Sequence, residues 1–209
     1  VYTLDGSEPT PSSTVYTEPF DITETTTLKI RSVLPSGKMS KTREITVEKQ
    51  TLAPAKEVAK TTPGLSMKVT NGTFLETSQL DGVKEWKEVP CKQLRDLTTY
   101  VKTDEGMRGI QQYAAVAEGY VNIPADGVYY VSSELEQVWI DGKLLIDNKG
   151  EVKHFARHDK SVALAQGLHE LKVVFLGHQI GGWASNWNDG SVKLRRADEE
   201  KFAPVTPEM

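Results

Sequence analysis

The stretch 177–191, GHQIGGWASNWNDGS, sets Trp183 and Trp187 among glycines, His178, Asn186, Asn188 and Asp189. Flat aromatic rings stack on the C–H faces of a sugar, and short polar side chains fix its hydroxyls. Trp183, Asn186, Trp187, Asn188 and Asp189 therefore form a candidate carbohydrate-contact set. The same composition fits a loop whose tryptophans cap the end of a β-sandwich, and residue types alone do not separate the two. Asn186, Asn188 and Asp189 could also offer oxygens to calcium, but three ligands in one loop are too few for that cation.

Other chemical candidates are weaker. HFARH places His154 and His158 four residues apart, a metal-ligand spacing on a helix. The segment lies between strand-like runs with no third ligand in view, so no metal site is expected. Cys91 is the single cysteine, which rules out an intrachain disulfide and a Cys-based zinc site. It is expected as a small buried apolar residue. No motif calls for a cofactor.

The elements that would position such groups are strands. In QVWIDGKLLIDN, 137–148, two short apolar runs flank Asp141-Gly142. Asp-Gly between such runs signals a two-residue hairpin, because a type I′ turn needs positive φ at both central residues. Trp139 and Ile140 are expected to cover the core. Asn71-Gly72-Thr73 matches a glycosylation sequon, but Asn-Gly is more simply a second hairpin turn.

The 209 residues are 38% hydrophobic and 26% charged, with a net charge of −4. That suits globular β domains. The basic residues are scattered, with Arg195-Arg196 the tightest pair, so no nucleic-acid partner is expected. No apolar run approaches the ~18 residues of a membrane helix, so no membrane insertion is expected. The chain starts at Val1 without an initiator Met and is read as a piece of a longer polypeptide.

Residues 1–48 contain STVYTEPF, TTTLKIRSVL and most of TREITVEKQ, three runs rich in β-branched residues. LPSGKMS supplies a turn between the last two. In TLKIRSV, Leu28 and Ile30 fall on one face, Lys29 and Arg31 on the other, as in a half-exposed strand. Residues 49–64, with Pro54 and Pro63 among lysines, read as a semi-stiff linker. Residues 65–196 return to strands at regular spacing, the pattern of a sandwich or barrel. SQLDGVKEWKEVPCKQLRDL and the tail, 197–209, are less regular and contain short helices at most. The expectation is an all-β chain of two β-sandwich modules.

YTLDGSEPTPSSTVYTEPF followed by ITETTTLKIRSVLPSGKMS resembles the small C-terminal β-sandwich module of chitobiases and β-hexosaminidases. Asp5-Gly6, Pro9, Pro11, Tyr16 and Gly37 carry the resemblance. Such modules begin with one or two further strands, so this one is expected to be truncated at its N-terminus. GYVNIPADGVYYVSSELEQVWIDGKLLIDN and VALAQGLHELKVVFLGHQ, with a late Trp, look like a protective-antigen-type β-sandwich domain. Gly127, Tyr129, Val131, Trp139, Asp141, Gly142, Gly167, His169 and Leu171 carry that match.

This order of modules resembles the tail of bacterial family 20 β-N-acetylhexosaminidases. In those enzymes an adjacent Asp and Glu at a barrel strand end assist hydrolysis, and the substrate's acetamido group is the nucleophile. Asp104-Glu105 and Asp198-Glu199 are adjacent here, but neither follows an apolar barrel strand and no strand–helix alternation builds a barrel. Both are read as solvated loop charges, and no catalytic residue is assigned. The resemblance implies noncatalytic accessory modules of a secreted, periplasmic or cell-surface glycoside hydrolase. Their partners would be the catalytic domain of the same parent chain and N-acetylhexosamine-containing glycans. A free-standing glycan-binding or adhesion module and a structural spacer are the alternatives.

Overall fold

The computed structural model describes residues 1–100, 112–148, 160–177, 179–180, 183–184 and 190–209. The chain divides into two compact units, Val1–Thr51 and Leu52–Met209, and nearly all its regular structure is strand.

The smaller unit is one antiparallel sheet in the order β1-β2-β3. β1 is Tyr2–Thr3, β2 is Thr26–Ile30 and β3 is Arg43–Val47. The expected strand STVYTEPF is not formed, apart from an isolated bridge between Thr14 and Tyr2. Val15 and Tyr16 are exposed instead. The expected turns are present: Gly6 and Gly37 have φ of 76° and 80°, and the Gly37 N–H donates to Leu34 O at 2.8 Å. The alternation read in β2 also holds. Lys29 pairs with Glu44 at 3.4 Å, while Leu28 and Ile30 line a depression of about 290 Å³ with Tyr2 and Phe20. Tyr2 and Phe20 stack at 4.9 Å. Yet none of the unit's large apolar side chains is buried; Ile45 and Val47 on β3 are 48% and 37% exposed.

The larger unit is a sandwich. One sheet runs β5-β4-β6-β11-β8-β9, with β16 also pairing on β6. These strands are β4 Leu65–Asn71, β5 Lys87–Cys91, β6 Tyr113–Ile123, β8 Gln137–Ile140, β9 Lys143–Asp147, β11 Gly167–Gly177 and β16 Pro207–Glu208. The facing sheet runs β10-β7-β14-β15. Its strands are β7 Gly127–Ser133, β10 Ser161–Leu164, β14 Val192–Arg196 and β15 Ala203–Pro204. A two-stranded ribbon, β12 Gln179–Ile180 with β13 Trp183–Ala184, completes the set.

The spine is β6 against β11, paired from Tyr113↔Gly177 to Ile123↔Gly167. Successive side chains alternate between faces, so Tyr113, Ala115, Ala117, Val173 and Phe175 enter one core with Val131 and Leu194 of the other sheet. Each large apolar side chain so buried contributes about 1.5–3 kcal/mol. Tyr113 also donates its hydroxyl to Leu97 O at 2.7 Å, anchoring the short helix α1, Asp96–Thr99. The outer face of the larger sheet carries a second cluster, where Phe74, Leu80 and Trp86 pack over Ala114, Val116, Val174 and Leu176.

Three segments differ from the sequence reading. The irregular run 78–97 contains β5 besides a 3-10 turn, Thr77–Gly82, and α1. Linker residues join the larger unit: Ala53 N–H donates to Ala163 O at 2.9 Å and Lys56 N–H to Leu168 O at 2.7 Å. The tail supplies β15 and β16, and Thr62 and Met209 exchange two backbone bonds at 2.8 Å. Prolines and short length hide these pairings in the sequence, because Pro is tolerated at sheet edges. Asn71-Gly72 does not close a hairpin. β4 and β5 pair around a long excursion, 72–86.

Candidate functional site

The sequence-derived carbohydrate set is only partly placed. Trp183 sits in β13, its backbone partnered with Ile180; Asn186, Trp187, Asn188 and Asp189 lie outside the described residues, as do His178, His154, His158 and Asp104-Glu105. Among the described residues, no three His, Cys, Asp or Glu side chains come together as a metal site.

Asp198 and Glu199 are placed, and they are structural. Both oxygens of Asp198 accept from the Arg196 guanidinium, at 2.5 and 2.7 Å, which holds the carboxyl below the usual carboxylate range. Glu199 and Arg196 close the turn after β14, with Glu199 N–H donating to Arg196 O at 2.9 Å. Cys91 is buried as expected, and its Sγ lies 3.4 Å from Gln93 O. Burial, reinforced by the charge of Asp96, pushes its thiol up to about 12, so it is no nucleophile at neutral pH.

The Asp-Gly hairpin has the expected turn, with φ of 47° at Asp141 and 74° at Gly142. Asp141 does more than turn the chain. Its Oδ1 accepts the Glu170 N–H at 2.9 Å, and its Oδ2 lies 2.6 Å from His169 Nδ1. The other ring nitrogen lies 2.8 Å from Ala165 O. A His–carboxylate pair is the core of many general-base sites. This one has 0% exposure at His169 and oxygens at both ring nitrogens, so no substrate atom reaches it. It locks the hairpin to β11.

Trp139 departs from its expected place. Val138 and Ile140 are both fully buried, so Trp139 between them emerges on the outer face of the sheet. There it lines a groove of about 670 Å³ with Ser66, Glu118, Tyr120, Glu170 and Lys172 among its walls. Register explains the grouping: Ser66 pairs with Glu118, Glu118 with Lys172, and Lys172 with Trp139. At about 4.8 Å per strand, this row crosses four strands over roughly 14 Å. Tyr120 and Glu170 form the next row. The Trp139 indole N–H donates to Gln137 Oε1 at 3.3 Å. Lys172 lies 3.8 Å from Glu118, and Lys56 3.5 Å from Glu170.

The groove presents one indole, one phenol, a hydroxyl, the Met209 side chain, and Glu118, Glu170 and Lys172, with Lys56 reaching Glu170 from beside it. It can stack and hydrogen-bond, and it holds no nucleophile paired with a base. Sequence reading missed it because its residues are 54 and 106 positions apart between Ser66, Tyr120 and Lys172. The available signal was the alternation itself: if Ile140 points inward, Trp139 must point outward.

Comparison with known proteins follows the two units. Residues 1–44 match the model of the chitobiase/beta-hexosaminidase C-terminal domain, and residues 93–205 match that of the PA14 domain. A beta-hexosaminidase of Porphyromonas gingivalis (strain ATCC BAA-308 / W83) is 40% identical over 209 residues, which is 100% of this chain and 27% of that protein. The chain thus spans about a quarter of that relative. Among solved structures, the PA14 domain of the MpAFP antifreeze protein aligns with a TM-score of 0.48 at 10% identity, covering 73% of this chain and 94% of that one. An anti-sigma factor domain-containing protein aligns at 0.49 and 14%, covering 87% and 57%.

Proposed function

The chain belongs to the PA14 domain family, and from that premise we propose that its two units are noncatalytic accessory modules of a β-N-acetylhexosaminidase-like glycoside hydrolase. The carrying observation is identity of 40% along all 209 residues to one part of a beta-hexosaminidase, with both modules in sequence. The partner is the catalytic domain of the same longer polypeptide. In support, the smaller unit leaves Ile45, Val47, Val15, Tyr16 and Leu34 exposed, an apolar surface that gains from being covered. The modules work outside the cytoplasm: secreted, periplasmic or at the cell surface. Trp183, Asn186, Trp187, Asn188 and Asp189 contact N-acetylhexosamine-containing glycan.

The test compares three samples on a chromogenic N-acetylglucosaminide: this chain, the parent polypeptide, and the parent lacking these 209 residues. The chain alone should give no turnover above buffer, and the parent should hydrolyse the substrate. Removing the modules should lower the parent's melting temperature. Turnover by the chain that disappears with Glu105→Gln or Glu199→Gln would overturn the reading. So would a parent indifferent to losing the modules, in both stability and action on polymeric glycan.

A further inference from the structure

We propose that the outer-face groove between Tyr120 and Trp139 binds an uncharged oligosaccharide, as a site separate from the stretch 177–191. The inference rests on the accessory-module reading and adds a location and a ligand class to it. Lys172 stands at the middle of β11, and Gly177, where that stretch begins, is five positions further along the strand, about 17 Å at strand rise.

Charge selects the ligand. Glu118 is balanced by Lys172 and Glu170 by Lys56, so the groove attracts neither an anion nor a cation. What remains is the aromatic pair Tyr120 and Trp139, the apolar Met209, and exposed donors and acceptors. Glu118, Lys172 and Glu170 have side chains roughly half exposed; such pairs hold each other weakly and can turn to hydroxyl groups at little cost. Trp139 is half-buried, with its indole N–H bonded to Gln137, so the ring is held in place and loses little freedom on binding. A protein partner would require an exposed ion pair at the centre of its interface, where charged residues are depleted. The row from Ser66 to Trp139, roughly 14 Å long, suits a chain of several sugar rings better than one.

The experiment titrates the 209-residue chain with N,N′,N″-triacetylchitotriose and follows its amide and indole N–H resonances. Saturable shifts are expected at the Trp139 indole and at residues 118–120 and 170–172, with millimolar affinity. Trp139→Ala should weaken binding at least tenfold. Lys172→Ala, at an exposed position, should weaken it several-fold without moving the melting temperature, which keeps the test valid if the Trp139 variant folds poorly. Trp187→Ala should leave these shifts in place. Absence of saturable shifts overturns the groove site, as does binding that survives Trp139→Ala or is lost instead with Trp187→Ala. Protection of Trp139 and Lys172 in the sugar-free parent polypeptide also overturns it, assigning the groove to a protein contact. None of these outcomes touches the hydrolysis comparison that tests the accessory reading.

Discussion

Asp141 Oδ2 lies 2.6 Å from His169 Nδ1, joining the β8–β9 turn to β11 across 28 residues of chain. With Asp141 Oδ1 on the Glu170 N–H, one side chain holds both the turn and its neighbour strand. His169 is fully buried, so cutting the pair leaves polar atoms with little access to water.

Asp141→Ala and His169→Leu should each cost about 1–3 kcal/mol, the usual cost of unmaking buried hydrogen bonds. The two should not add. A double-mutant cycle by urea denaturation should give a coupling energy of about 0.5–3 kcal/mol. Additive losses would mean that the contact is geometric proximity without an energetic bond.

Two glycines test the backbone in different ways. Gly142 has φ of 74° with open space around its missing Cβ, so Gly142→Val suffers from conformation alone. Its cost should be about 1–3 kcal/mol. At Gly119 a Cβ would stand 2.4 Å from Glu208 O and 2.7 Å from Leu65 Cδ2. Gly119→Ala should therefore loosen β16 from β6, and deletion of residues 203–209 should abolish most of its effect. If Gly119→Ala is equally harmful with and without that segment, the clash with Leu65 dominates.

The hairpin, the β6 and β11 strands and the two-module order were legible because each is local or signature-bearing. Asp-Gly between apolar runs specifies its turn without help from the rest of the chain. The groove was not legible, because Ser66, Glu118, Lys172 and Trp139 meet only through the register of four strands. Trp139 itself was misplaced for a related reason: two adjacent apolar residues cannot both face the same core in a strand, and apolar character alone does not say which one does. The pairing of 203–208 was hidden by Pro204 and Pro207, which read as breakers and serve here in two-residue edge strands.

Cys91 should be unreactive in the folded chain. With its thiol near 12, the thiolate fraction at pH 8 is roughly one in ten thousand, and burial blocks access besides. Reaction with a chromogenic disulfide at pH 8 should be slow in buffer and rapid in denaturant. Fast labelling of folded protein would mean that the edge strand β5 opens readily.

The smaller unit should open first. Its sheet has three strands, its exposed β3 carries Ile45 and Val47 outward, and no large apolar side chain in it is buried. A three-stranded sheet whose apolar side chains are at most half-buried gains little from the hydrophobic term that offsets chain entropy. The larger unit instead buries one whole face of an eleven-residue strand pair, β6 and β11, against the second sheet, and part of the other face under Phe74, Leu80 and Trp86. Native-state hydrogen exchange should therefore find amides of β2 and β3 opening at lower free energy than those of β6 and β11. In the parent polypeptide the gap should narrow, because covering Ile45 and Val47 adds burial to the unit that lacks it. Equal protection in the 209-residue chain alone would count against that reasoning, and an unchanged gap in the parent would show that the catalytic domain does not cover this face.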